Sequence, residues 1–170
     1  MALTTDVTLN IIATLTKAVD LANNPEYSLD LQNKLQLATG TAAGQADVIF
    51  TDQRNLIASA TEDLDLVGSL TDALGTGFSP ARIKFLFIKA LATNTNNVIV
   101  GAASGTQWAA LLGTTGTVTL RPGAWFAACA GPADATGYVC AAGSTDLLKV
   151  ANSAGSTAVD YQIIVIGASA

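Results

Sequence analysis

The sequence predicts a mostly β chain: an antiparallel β-sandwich, jelly-roll-like, carrying a short N-terminal arm or helix. Three observations carry this expectation. From Tyr27 onward, apolar and polar residues alternate with a period of two, the spacing of a half-buried strand. Turn signals built on Gly, Pro, Asn and Asp recur about every 8–12 residues. No helical pattern of useful length follows residue 24, which argues against alternating strand–helix units. The expected organisation is an arm or short helix over 1–24 and a sandwich domain over 25–170. A chain of 170 residues is long enough to bury one substantial core without a metal or disulfide staple.

The first element is ambiguous. Ile11, Ile12, Leu15, Val19 and Ala22 recur at spacings that fit one side of a short helix. Leu3, Leu9 and Ile11 within a Thr-rich run fit an extended arm instead. Asn23, Asn24 and Pro25 end the element either way. Next, Tyr27, Leu29 and Leu31 alternate with Ser28, Asp30 and Gln32. Leu35 and Leu37 are read as continuing after a one-residue phase shift, which predicts a strand with a bulge. Gly40 to Gly44 marks a loop.

Strands are then expected at Val48–Phe50, Arg54–Ala58 and Asp63–Val67, followed by a connection around Leu70–Leu74 bounded by Gly68, Gly75, Gly77 and Pro80. Ile83 to Lys89 is the strongest strand signal. It is apolar on both faces, as befits a central strand or one covered by a partner. Asn94–Asn97 turns into Val98–Gly101. Thr117–Leu120 leads through the Arg121-Pro122-Gly123 turn into Ala124–Cys129. Gly131-Pro132 and Asp134–Gly137 turn into Tyr138–Ala141, and Leu147–Val150 and Val159–Ile166 complete the set.

Composition restricts function. Only 12% of residues are charged, about half the usual share, so Thr, Ser, Asn, Ala and Gly must cover the surface. Neutral polar groups are cheaper to desolvate than ions, so much of this outside is suited to becoming interface. The formal charge of −5 argues against duplex nucleic acid or an anionic membrane as partner. The chain has no His, hence none of the commonest general base and metal ligand. No apolar stretch approaches the roughly 18 residues of a membrane-spanning helix. The first residues lack a basic region followed by a compact apolar one, so secretion through a signal peptide is not expected.

No residue is nominated as catalytic, cofactor-binding or metal-ligating, and neither enzymatic activity nor a cofactor is expected. Cys129 and Cys140 do not make a C-x-x-C motif. They flank the Ala130–Gly137 turn and would stand opposite one another in a hairpin centred between Asp134 and Ala135. Two buried free thiols are favoured over a disulfide. Glu62-Asp63-x-Asp65 lacks the spacing of a calcium loop and reads as a solvated strand edge. Trp108, Trp125, Tyr27, Tyr138 and Tyr161 are candidates for a carbohydrate groove but fit core or rim packing better. Arg121-Pro122-Gly123 has one basic residue and no following helix, too little for a phosphate nest. The loop 101–116, rich in small residues and carrying Trp108, is a candidate mobile segment or interface finger.

Residues 58–103, ASATEDLDLVGSLTDALGTGFSPARIKFLFIKALATNTNNVIVGAA, resemble a segment of small virion structural proteins of tailed bacteriophages. VTLRPGAWFAACAGPADATGYVCAAGSTDLLKVANSAG, residues 118–155, and the ending YQIIVIGAS continue the likeness, which spans roughly 45–168. The first 44 residues match least well. The resemblance implies a β-sandwich that decorates the head as a cement protein, commonly in threefold clusters, or else belongs to tail, baseplate or fibre. It brings no catalytic residues. It implies a homo-oligomer, a trimer first of all, contacting the major capsid protein or other virion proteins after assembly in the host cytoplasm. A carbohydrate-binding module is the remaining alternative. The face of Ile83–Ile88 turned away from the core needs a cover, supplied by another subunit's β-body or by the chain's own leading segment.

Overall fold

The computed structural model describes residues 2–20 and 23–170. Of the residues proposed for an N-terminal helix, Ala22 lies outside the described residues, Ile11, Ile12 and Leu15 lie in a strand, and Val19 follows its end. β1 (Thr5–Thr16) pairs antiparallel with β2 (Glu26–Thr39) over its whole length, from Thr5 opposite Leu37 to Thr16 opposite Glu26. The spacing of Ile11, Ile12 and Leu15 is therefore not a helical face. Thr5, Val7, Thr8, Ile11, Ile12, Thr14 and Thr16 are β-branched and lose rotamer freedom in a helix, whereas β2 offers a complete ladder of backbone partners. The bulge expected in β2 is absent as well. Leu35 and Leu37 stay on the face of Tyr27, Leu29 and Leu31, with Asn33 interrupting the apolar row.

The two-residue β3 (Gln45–Ala46) runs parallel to the end of β2 and brings the chain onto the body. Nine strands follow: β4 (Val48–Leu56), β5 (Thr61–Asp65), β6 (Arg82–Ala90), β7 (Val98–Gly101), β8 (Thr117–Leu120), β9 (Trp125–Cys129), β10 (Tyr138–Val139), β11 (Leu147–Asn152) and β12 (Val159–Ala168). Their pairing is nested and antiparallel. β4 lies against β12, β5 against β11, β6 against β9, and β7 against β8. Cross-pairing of β12 with β6, and of β11 with β7, joins these hairpin-like pairs into two sheets. The first sheet holds β4, β12, β6 and, along the far edge of β6, both β9 and β10. The second has the order β5-β11-β7-β8. The fold is thus all-β and sandwich-like, and no helix occurs among the described residues.

The core lies between the sheets. Phe50, Leu86, Ile88, Tyr161, Ile163 and Val165 meet Leu64, Val98, Val100, Leu120, Leu148 and Val150. β6 is central, as its apolar faces predict, and it contains the irregularity. Phe85 pairs with Ile166 but Ile83 with Gly167, so Lys84 is an extra residue in the ladder. The bulge changes the phase of the side chains: Ile83 enters the inter-sheet core while Phe85 points to the opposite face. Opposite it, a Cβ on Gly167 would come within 2.7 Å of both the Arg82 carbonyl oxygen and Pro80 Cβ, so the tight approach requires glycine.

The outward face of the first sheet is covered in part by the chain itself. Leu35, Leu37 and Ala46 pack with Phe85 and Ile166, joined by Leu3, Val7, Ile49, Phe87 and Ile164. The cover sought for Phe85 is therefore intramolecular. It is the base of the β1–β2 ribbon.

One end of the sandwich is tied by buried amides. Asn152 donates through Nδ2 to the carbonyls of Leu56, Ile57 and Thr157, and accepts from Asn96 Nδ2 at 3.0 Å. Asn94 exchanges two hydrogen bonds with the Asp160 backbone. These satisfy carbonyls that the loops leave without ladder partners.

Candidate functional site

The register of the ribbon sorts its side chains into two faces. Val7, Leu9, Ile11, Ala13 and Leu15 of β1 lie beside Leu35, Asn33, Leu31, Leu29 and Tyr27 of β2 on one face. The other carries Asp6, Thr8, Asn10, Ile12, Thr14 and Thr16 against Gln36, Lys34, Gln32, Asp30, Ser28 and Glu26. The polar face is laced by Lys34–Asp6 at 2.9 Å and Gln36–Asp6 at 3.2 Å, and the hydrogen bond from Lys34 holds the Asp6 carboxyl below its usual range. Ile12 on the polar face and Asn33 on the apolar face break the division.

The apolar face runs the length of the ribbon, interrupted at Asn33, but its cover does not. Its base, Val7, Leu35 and Leu37, sits on the first sheet. Beyond Leu9 the ribbon leaves the body and the same row is exposed, reaching 70% at Leu15 and 63% at Tyr27. A two-stranded ribbon projecting alone is marginal in water, and an exposed apolar strand pair with open edges is a surface for another chain.

Where the ribbon crosses the edge of the first sheet, it roofs a groove of about 680 Å³. Leu9 and Leu35 form the roof, Phe87, Trp125 and Ala127 the floor, and Cys129 and Pro132 one rim. Trp125 is 53% exposed and lies 6.1 Å from Phe87, ring to ring. The groove is predominantly apolar, with Asn10, Asn33 and Lys34 as its polar margin.

The other residues singled out in the sequence do not gather around this groove. Trp108 is buried, its Nε1 donating to the Val139 carbonyl at 3.0 Å and its ring edge-on to Tyr138. Its loop is docked on the body, Trp108 N donating to the Leu147 carbonyl. Tyr161 is fully buried and donates its hydroxyl to Glu62 at 2.6 Å, so of the five aromatics only Trp125 lines the groove. Burial and the Glu62 carboxylate push the Tyr161 hydroxyl well above its usual range. Glu62 in turn accepts from Arg54 at 3.0 Å, tying β5 to β4 and β12 across the two sheets. Asp63 is exposed and Asp65 caps Val67 N, as expected of an edge strand.

Cys129 and Cys140 do not face one another. β9 and β10 run end to end along β6, with Cys129 opposite Phe85 and Tyr138 opposite Ile83. Asp134 accepts from Thr136 N and Gly137 N, bonds that lower its carboxyl, and Lys84 Nζ donates to the carbonyls of Asp134 and Ala135. That clamp turns the chain along β6 instead of back beside β9. Lys84 is buried along its stem, and the desolvation lowers its ammonium. Both thiols are free: Cys129 exposed, Cys140 buried and pushed up to about 12, by burial first and then by Asp146 and Asp65.

Among the described residues no three His, Cys, Asp or Glu side chains converge as metal ligands. Asp146 Oδ1 is the one buried side-chain oxygen among them without a hydrogen-bond partner. Arg121-Pro122-Gly123 is a tight turn closed by Ala124 N to Arg121 O. The amphipathic ribbon was missed by sequence reasoning. Its signal was the alternation of Val7, Leu9, Ile11, Ala13 and Leu15 with mostly polar residues, obscured by Ile12. No protein-family model, curated protein or solved structure matches this chain.

Proposed function

We propose that this chain is a non-enzymatic structural protein of a tailed-phage virion, a decoration or cement protein that stabilises the head by burying surface between neighbouring subunits. The observation that carries the assembly part is the apolar ribbon face left open beyond Leu9, on a body with few charges to desolvate. The virion part rests on the resemblance of residues 45–168. The nested pairing supports reading the sandwich as a jelly roll: the eight strands β4–β9, β11 and β12 pair first with last, second with next-to-last and so inward, as a long hairpin rolled onto itself. The same reading makes the protein a homo-oligomer, a trimer first of all, that binds the major capsid protein or other virion proteins. The test is a reconstruction of purified particles of the encoding phage. Density for the sandwich at capsomer junctions is the expected result, and absence of the chain from the particle refutes it. Density on the tail, baseplate or fibre transfers the same surface to the second reading.

The exposure of Trp125 in a groove with amide margins favours one further alternative, a carbohydrate-binding module in which a sugar ring stacks on the indole. Glycan-array binding that is lost in Trp125→Ala would establish it.

A further inference from the structure

We infer that the outward face of the first sheet binds a neutral oligosaccharide, laid across four strands from Trp125 to Gln53. This rests on the carbohydrate reading above and goes beyond it: the sugar chain leaves the groove and crosses the open part of the sheet. The register builds the surface. Trp125 pairs with Lys89, Lys89 with Gln162, and Gln162 with Gln53, so the four stand in one row across β9, β6, β12 and β4. Two and four residues back along β6 and β12, Phe85, Phe87, Ile164 and Ile166 belong to the cluster under the ribbon base, so the row points to the same outward side. The face thus changes from apolar and covered to polar and open. Trp125, Gln162 and Gln53 are exposed, and beyond them Asp160 stands opposite Asn55 on the same side.

A pyranose ring has a face of C–H bonds and a rim of hydroxyls, each both donor and acceptor, and the row offers partners for both. Trp125 is 53% exposed, with Phe87 leaning against it at 6.1 Å, so the indole is held as a platform whose negative π-face suits C–H bonds. Gln162 Nε2 donates to Gln53 Oε1 at 3.1 Å, and Asn55 Nδ2 to Asp160 Oδ1 at 2.8 Å. Each pair fixes its planar groups and still leaves an oxygen and an N–H free for hydroxyls. Side chains positioned in advance lose little further freedom on binding. Lys89 adds an ammonium that takes part in none of the ion pairs among the described residues. Charge selects an uncharged occupant. Lys89 and Asp160 are the two charges that these strands place on this side, one of each sign, so a polyanionic glycan would meet the Asp160 carboxylate. Three inter-strand spacings span about 14 Å, the length of about three linked pyranose rings.

The test uses the full-length protein. An array of neutral and acidic glycans should show binding to neutral chains in preference to acidic ones. Calorimetric titration with glucan, mannan and galactan oligomers, from single sugars to pentasaccharides, should show affinity rising with length and levelling at about three rings. For the tightest trisaccharide, Trp125→Ala should weaken binding at least about tenfold. Gln53→Ala with Gln162→Ala should weaken it about tenfold together, while Asn10→Ala with Asn33→Ala, at the groove margin, should leave it unchanged. All five side chains are exposed, and circular dichroism checks that each variant keeps its fold. A sugar lying along the groove reverses the outcome for the two amide pairs, which would overturn this inference and leave the carbohydrate reading standing. A plateau at a single ring, or preference for acidic glycans, would overturn it in the same way. Absence of binding to every glycan would overturn both. The virion reading stands or falls separately, on the particle reconstruction.

Discussion

Replacing Tyr161 by Phe removes the hydrogen bond that joins the two sheets through Glu62. Tyr161 is fully buried, and its hydroxyl reaches Glu62 Oε1 at 2.6 Å. Phe fills the same space, so no cavity adds to the cost. A hydrogen bond to a charged group contributes about 1.5–3 kcal/mol. Glu62 keeps Arg54 at 3.0 Å and its side chain is 21% exposed, so water can reach the freed oxygen. The expected loss at pH 7.5 is therefore near the lower limit, about 1.5–2 kcal/mol. The substitution also alters the response to alkali. The folded-state Tyr161 hydroxyl titrates above its ordinary value, so above pH ~10 the unfolded chain gives up this proton while the folded one keeps it. Stability is fully present below pH ~10 and falls as pH rises, by up to about 1.4 kcal/mol per pH unit from this group. Phe abolishes that contribution. Urea unfolding at fixed protein concentration, at pH 7.5 and at intervals from 9.5 to 11.5, measures both effects. A variant within about 0.5 kcal/mol of the parent at pH 7.5, or one with an unchanged alkaline slope, would refute the account.

Leu37→Ala empties part of the cluster under the ribbon base and should cost about 2–4 kcal/mol, with faster proteolysis in β1 and β2 than in the body. Unchanged ribbon cleavage would show that the base is not its anchor. Asn152→Ala leaves three carbonyls without their Nδ2 donor and should cost about 2–4 kcal/mol in urea unfolding, more than an exposed Asn→Ala such as Asn55→Ala. In the native protein Cys129 should alkylate within minutes and Cys140 only on unfolding, read by intact mass; failure of either thiol to label under denaturing, non-reducing conditions would show a disulfide. Because the Cys140 thiol is raised to about 12, its stabilisation is complete below pH ~9 and is lost as pH rises through 12, so Cys140→Ala should flatten the unfolding-versus-pH curve over that window.

By itself the sequence located most strands of the body, because period-two alternation and Gly, Pro and Asn turns are local signals, although the two strands expected at Val48–Phe50 and Arg54–Ala58 are one, β4 (Val48–Leu56). Val98–Gly101 and Thr117–Leu120 were delimited to the residue for that reason. It also marked Ile83–Ile88 as central, since two apolar faces need two covers wherever they lie. What it left open was long-range. The N-terminal residues carry helical and extended spacings at once, and the decision fell to β2, whose backbone groups complete the ladder only if β1 is extended. The phase change expected in β2 occurs at Lys84 instead, where pairing with Gly167 forces it. The hairpin that would align Cys129 with Cys140 is undone by Lys84, fifty residues away from Asp134 in the chain, which holds the turn along β6. Trp108 and Trp125 look alike in sequence, yet one finds a carbonyl inside the body and the other a groove beneath the ribbon. Period and turn chemistry are properties of neighbours in the chain. Which face is covered, and by what, is settled only when strands distant in sequence compete for the same hydrogen bonds and the same apolar surface.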